Sequence, residues 1–137
     1  MTTGTTMIPH SRPAIAQDEI DAVTDVLQSG RLAQGAVVER FERGLAAYLG
    51  VAGGVAVNSG TMALEVALRV LGIGPGDEVI LPSYVCSAPW QAVQRVGAHA
   101  RLVDIEPDTF QIDTGLARAA ITSKPRAIIV PHLFGLP

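Results

Sequence analysis

Apolar positions follow two different rhythms along the chain, and the change between them comes at Gly53-Gly54. Before that point Ile20, Val23 and Leu27 recur at helical spacing. Asp18 and Glu19 suit a first turn and Gly30 follows the last, which predicts a helix beginning at Gln17 or Asp18. A second amphipathic helix is predicted from about Val37 to Leu49, with Val38, Phe41, Leu45, Tyr48 and Leu49 on one side and Gly50 as its C-terminal cap. After Gly54 short apolar runs alternate with turns and helices. Strands are predicted at Val55–Val57, Glu78–Leu81, Ala100–Ile105 and Ala127–Val130. Helices are predicted at Thr61–Leu71 (apolar nearly all round), Ser87–Val96 and Asp113–Ile121. Continuous apolar strands separated by helices predict an α/β fold, a mainly parallel sheet with flanking helices on both faces.

Ahead of these elements the first residues are small and polar, so residues 1–7 are expected to be a disordered tail. Pro9 and Pro13 then favour an extended arm, because each disfavours helix in the residue before it. Residues 8–137 are expected to form one body. The chain stops at Pro137, after a strand and its exit loop and with no helix to close the unit, which predicts the front piece of something larger.

Composition narrows the functional classes. The 137 residues carry 10 Lys plus Arg against 13 Asp plus Glu, a net charge of −3, with no basic run to neutralise phosphates, so nucleic acid is not an expected partner. Apolar residues make up 48% and charged ones only 17%, with a mean hydropathy of +0.33. So few charges on so small a surface predict apolar area buried against a partner chain. No apolar run approaches the ~20 residues that span a bilayer, so no membrane is expected either. Cys86 is the only cysteine, which excludes an internal disulfide and fits a reducing, cytoplasmic setting. His10, His99 and His132 lie far apart without helical pairing, and no metal site is expected.

Chemistry is most legible at Asn58-Ser59-Gly60-Thr61-Met62, where a strand is expected to run straight into a helix. The first backbone N–H groups of a helix lack partners and carry partial positive charge, so they can hold a phosphate. Read from the residues alone, Ser59 or Thr61 serves equally as an ordinary helix cap. The segment lacks the lysine of a P-loop and the spacing of a dinucleotide fingerprint. The loop Pro82-Ser83-Tyr84-Val85-Cys86 follows the next strand, and ligands in open α/β sheets gather at carboxyl ends. That rule puts this loop, Asn58–Thr61, Asp104–Glu106 and Pro131–Phe134 on one rim. Asp104 and Glu106 read as the start of a turn rather than as paired acids, and His132 as a ligand contact or a structural hydrogen bond.

Taken together, the motifs resemble the DegT/DnrJ/EryC1/StrS family of pyridoxal-phosphate-dependent sugar aminotransferases, over its N-terminal portion. The resemblance is carried by Ile8-Pro9 with Arg12-Pro13, Ser29-Gly30-Arg31-Leu32 with Gly35 and Phe41-Glu42, and Asn58–Thr61 with Ala63-Leu64. It continues through Leu71–Ile80, Pro82-Ser83, Gly97-Ala98, Val103–Ile105 with Asp108-Thr109, Ile112-Asp113, Ala120–Thr122 and His132–Gly135. It implies a partial fold type I aminotransferase large domain that binds pyridoxal phosphate, with Gly60, Thr61 and Met62 on the cofactor phosphate. It also implies a residue stacked on the cofactor ring at the position of Cys86, where the family usually has an aromatic; Tyr84 and Trp90 stand nearby in sequence. Family active sites lie at a dimer interface, so the resemblance implies a homodimer or larger oligomer. In the complete relative it implies a nucleotide-sugar ligand.

The family's chemistry also needs a lysine that bonds the cofactor aldehyde, and an acid on the pyridine nitrogen. The only lysine here is Lys124, in the turn before a strand and so expected at the rim opposite the ligands. No residue is assigned a catalytic role. The sequence therefore predicts a truncated homologue that keeps the phosphate half-site and is inactive alone. A non-catalytic assembly module pairing with a full-length relative is the rival reading, and an interrupted reading frame a third.

Overall fold

The computed structural model describes residues 11–137, so the tail and the first part of the arm lie outside the described residues. The chain divides into two compact units, one ending at Gly54 and the other running from Val55 to Pro137.

The first unit holds helices α1 (Gln17–Ser29) and α2 (Ala36–Leu49). Helix α1 starts where Glu19 Oε2 accepts the Ala16 N–H at 2.7 Å, which satisfies a donor the helix itself cannot. Both helices end as the sequence predicts, with Gly30 and Gly50 in the left-handed conformation that suits a residue without a Cβ. No residue of α1 is buried, and Ala46 alone is buried in α2. Ile20, Val23, Leu27, Phe41 and Leu45, the apolar stripes read from the sequence, are exposed.

The second unit contains α3 (Gly60–Val70), β1 (Glu78–Pro82), α4 (Ser87–Arg95), β2 (His99–Val103), α5 (Thr114–Ala120) and β3 (Pro125–Ile128). The strands form one parallel sheet in the order β2-β1-β3, with Pro82 opposite Val103 at the carboxyl end. Alternation along β1 sends successive side chains to opposite faces. Val79 and Leu81 pack on Leu68, Ala92, Val93 and Val96, while Ile80 packs on Val103, Ile112, Ala117 and Ala120. Helices α3 and α4 therefore cover one face and α5 the other. The predicted parallel sheet with flanking helices is what the chain forms.

One expectation needs correction. Among the described residues Val55–Val57 forms no strand, and the sheet consists of β2, β1 and β3. Three β-branched or small residues carry the composition of a strand, yet composition alone does not set pairing, and Val55 is 80% exposed. Helix α3, apolar nearly all round, turns Glu65 and Leu68 inward and leaves Val66 and Val70 exposed, because only one face meets α4 and the sheet. No helix among the described residues is long and apolar enough to cross a membrane.

Candidate functional site

The direction of the helices decides where the site residues fall. Helices α3 and α4 lie side by side, tied by Glu65, which pairs with Arg69 at 2.9 Å and Arg95 at 3.7 Å, and by Arg69 Nη2 donating to the Arg95 carbonyl at 3.2 Å. Just past α3, Pro75 packs under Gly97, just past α4: a Cβ added at Gly97 would stand 3.1 Å from the Pro75 side chain, and its φ of +78° also disfavours one. The two helices thus end together, beside Asp77 and His99 at the amino end of the sheet, where the His99 N–H donates to the Asp77 carbonyl at 2.9 Å. Both must begin at the carboxyl end. Gly60, Thr61 and Met62 of α3 and Cys86 before α4 consequently share one end of the sheet, as the sequence predicts.

The same end carries a topological switch. From β1 the chain leaves to α4 on one face, and from the adjacent β2 it leaves to α5 on the other. A crevice opens where neighbouring connections part in this way. Its floor is closed by Ser83 Oγ donating to Asp104 Oδ1 at 3.0 Å and the Ser83 N–H donating to the Val103 carbonyl at 2.7 Å. Beside it lies a cavity of about 340 Å³ lined by Tyr84, Val85, Cys86, Leu133 and Phe134.

Each predicted site residue can now be placed. Ser59 caps α3, its Oγ accepting the Met62 N–H at 3.2 Å, and the Ala63 N–H goes to the Ser59 carbonyl at 3.0 Å. Of the three backbone donors expected to hold phosphate, that of Met62 is therefore already engaged, and those of Gly60 and Thr61 point out of the helix end. A Cβ at Gly60 would meet nothing within 4 Å, so there is room in front of it, and the first turn holds no acidic side chain to repel an anion. Cys86 is exposed, occupies the N-cap of α4 without a side-chain cap bond, and lines the cavity. Asp104 and Glu106 are engaged separately, Asp104 by Ser83 and the Ile105 N–H, Glu106 Oε2 by the Thr109 hydroxyl at 3.2 Å, as turn-forming acids. The His132 side chain is exposed and makes no hydrogen bond among the described residues. Lys124 lies at the opposite end of the sheet, where its carbonyl accepts the Glu78 N–H at 3.3 Å.

Sequence reading missed Phe110 and Gln111. Phe110 stands between Tyr84 and Phe134, with ring centroids 5.6 Å and 6.1 Å away, and Gln111 Nε2 donates to the Leu133 carbonyl at 3.0 Å. Phe110 and Phe134 both have positive φ, +59° and +57°, at a cost of about 1–3 kcal/mol each for a residue with a bulky side chain. No local signal marks them, since glycine and asparagine are the residues expected in that conformation. The larger hollow of about 690 Å³ belongs to the other unit, along the turn between α1 and α2, and is walled mainly by backbone and aliphatic groups with Arg31 and Arg40.

The chain has counterparts among known proteins. The family model for DegT/DnrJ/EryC1/StrS aminotransferases matches residues 13–137. The chain belongs to that family. It is 41% identical to the spore coat polysaccharide biosynthesis protein SpsC of Bacillus subtilis, over 93% of this chain and 33% of that protein. It is 44% identical to the dTDP-3-amino-3,4,6-trideoxy-α-D-glucose transaminase of Streptomyces venezuelae, over 97% of this chain and 36% of that enzyme. Among solved structures it superposes on a Streptococcus pneumoniae protein described as a sugar aminotransferase with a TM-score of 0.91 and 43% identity, covering 95% of this chain and 33% of that one. That protein has been solved in apo, PMP and PLP forms. The DegT-family chain described here thus spans about a third of the length of these relatives, the extent expected of an N-terminal portion. The partial aminotransferase architecture expected from the motifs is the one found.

Proposed function

We propose that this chain supplies the cofactor-phosphate part of a pyridoxal-phosphate-dependent sugar aminotransferase, and that the 137-residue polypeptide transfers no amino group by itself. One observation carries the reading: the open N-terminus of α3 shares a rim with the crevice between β1 and β2 in a chain of this family. The residues present fit one half of the cofactor. The N–H groups of Gly60 and Thr61, with the Thr61 hydroxyl, form a donor set for a phosphate, and the cavity at Tyr84 and Cys86 offers a wall for a flat ring. No lysine amine stands on this rim to hold an aldehyde, because Lys124 is at the other end of the sheet. Pyridoxal phosphate, when bound, supplies the electron sink for amino transfer. In the complete protein the acceptor is read as a keto-sugar carried on a nucleotide, and the lone Cys86 is read as that of a cytoplasmic protein.

Titration with inorganic phosphate followed by ¹H–¹⁵N NMR tests the anion site. The amides of Gly60 and Thr61 should shift most, that of Met62 less because Ser59 already accepts from it. Dissociation in the millimolar range or weaker is expected, about 4 kcal/mol or less, as fits a few backbone donors. Shifts confined to other amides, with Gly60 and Thr61 still, reduce the feature to a helix cap.

The assembly reading is favoured by the exposed apolar stripes of α1 and α2. The chain is proposed to form a homodimer, burying residues between Ile20 and Leu49 over more than the ~800 Å² in total typical of weak contacts. Sedimentation should show mass rising from monomer to dimer through the micromolar range, and Phe41→Asp, at a 59% exposed position, should return it to monomer with unchanged circular dichroism. A monomer mass persisting at high micromolar concentration removes the proposal.

A further inference from the structure

We propose that Phe110 is a positioning residue that makes Tyr84, rather than the residue at position 86, the aromatic wall of the rim cavity. The inference rests on the reading of this rim as the cofactor-bearing one. Phe110 does not line the cavity but stands behind it, 5.6 Å from the Tyr84 ring and 6.1 Å from that of Phe134, which it meets edge-on at 79°. Two residues that line the cavity therefore lean on one ring. Contacts of this separation favour tilted and edge-on rings and restrict both partners.

The backbone of Phe110 is in the left-handed region, and its surroundings hold it there. Its N–H donates to the Glu106 carbonyl at 2.9 Å, and the Glu106 N–H donates to the Gln111 carbonyl at 2.9 Å. The Gln111 side chain, in turn, donates to the carbonyl of Leu133, another residue lining the cavity, at 3.0 Å. A turn serving only as a turn would relieve the strain with glycine. Strain persists where the direction of the side chain matters and the neighbours fix it. Beside it Tyr84, half exposed, lines the same cavity as Cys86, and carries a flat ring where Cys86 carries only a thiol.

The test compares the unaltered chain with Phe110→Gly, which suits the positive φ but removes the ring, and Phe110→Tyr, which keeps it. Two probes are used: 4′-deoxypyridoxine 5′-phosphate, a phosphorylated pyridine without an aldehyde, and inorganic phosphate. Aromatic NMR reads Tyr84 directly, since Tyr48 is the only other tyrosine. In Phe110→Gly the Tyr84 ring resonances should move and broaden, and binding of the pyridine phosphate should weaken about tenfold, the size of one lost aromatic contact. Phosphate binding should stay within about twofold, and Phe110→Tyr should restore the resonances and the affinity. Tyr84 resonances unchanged in Phe110→Gly overturn the proposal, and so does equal weakening of both probes. If the unaltered chain binds neither probe, the cofactor reading of the rim falls, and the Tyr84 resonances still decide whether Phe110 positions that ring.

Discussion

Incubated with pyridoxal phosphate, an amino donor and a nucleotide-linked keto-sugar, the 137-residue chain should show no amino transfer, and borohydride should fix no stoichiometric label to it. The expectation follows from geometry as well as inventory. A lysine used in this chemistry must reach the ring while the phosphate stays at the start of α3. Lys124 is exposed and precedes β3, so it faces solvent at the amino end of a parallel sheet, while α3 and α4 begin at the carboxyl end. Absorbance of the cofactor should be lost on dialysis, since a phosphate contact alone retains it weakly. Mass spectrometry after reduction provides the check: one cofactor per chain on Lys124, accompanied by turnover, would sink the reading.

Leu81→Ala should destabilise the second unit by about 2–5 kcal/mol, the range for removing a large aliphatic side chain from a packed interior. Leu81 is completely buried on the central strand and touches the cluster that α3 and α4 place over the sheet. Against the ~5–15 kcal/mol total usual for a domain, such a loss leaves little. Ile80→Val, also at a fully buried position but on the other face, should cost only about 0.5–1.5 kcal/mol. Urea unfolding followed by circular dichroism compares the two. Equal midpoints would mean that the face under α3 and α4 is not the principal core.

Much of the fold was legible because its strands and helices differ in period. In the predicted strand Glu78–Leu81, Val79 to Leu81 are continuously apolar because both faces of a central parallel strand are covered, and the prediction differs from the observed β1 by one residue at its end. The helices from Ser87 and from Asp113 were equally plain, and Asp113 caps α5 by accepting the Leu116 N–H at 2.8 Å. Val55–Val57 has the same composition as a strand and forms none among the described residues, because composition alone does not set pairing. The inward-facing Glu65 of α3 could not be foreseen either: its burial depends on Arg69 one turn on and on Arg95, 30 residues along the chain.

The candidate site divides along the same line. The sequence by itself determined the open helix start at Gly60 and Thr61, the carboxyl-end loops, the lone lysine in a turn before a strand, and the order of motifs that identifies the family. All of these are local: a glycine after a strand-like run, a proline after an apolar one, a spacing. Tertiary structure alone decided that Ser59 engages Met62, that Ser83 and Asp104 close the floor of the crevice, and that Tyr84, Phe110 and Phe134 meet. Those three rings come from loops after β1, after β2 and after β3, each 24 or 26 positions from the next along the chain. Parallel strands with crossovers bring such loops to one rim whatever lies between them, and the left-handed backbone at Phe110 and Phe134 then aims the rings. Backbone strain of that kind is held by distant hydrogen bonds, so no local pattern of residues can announce it.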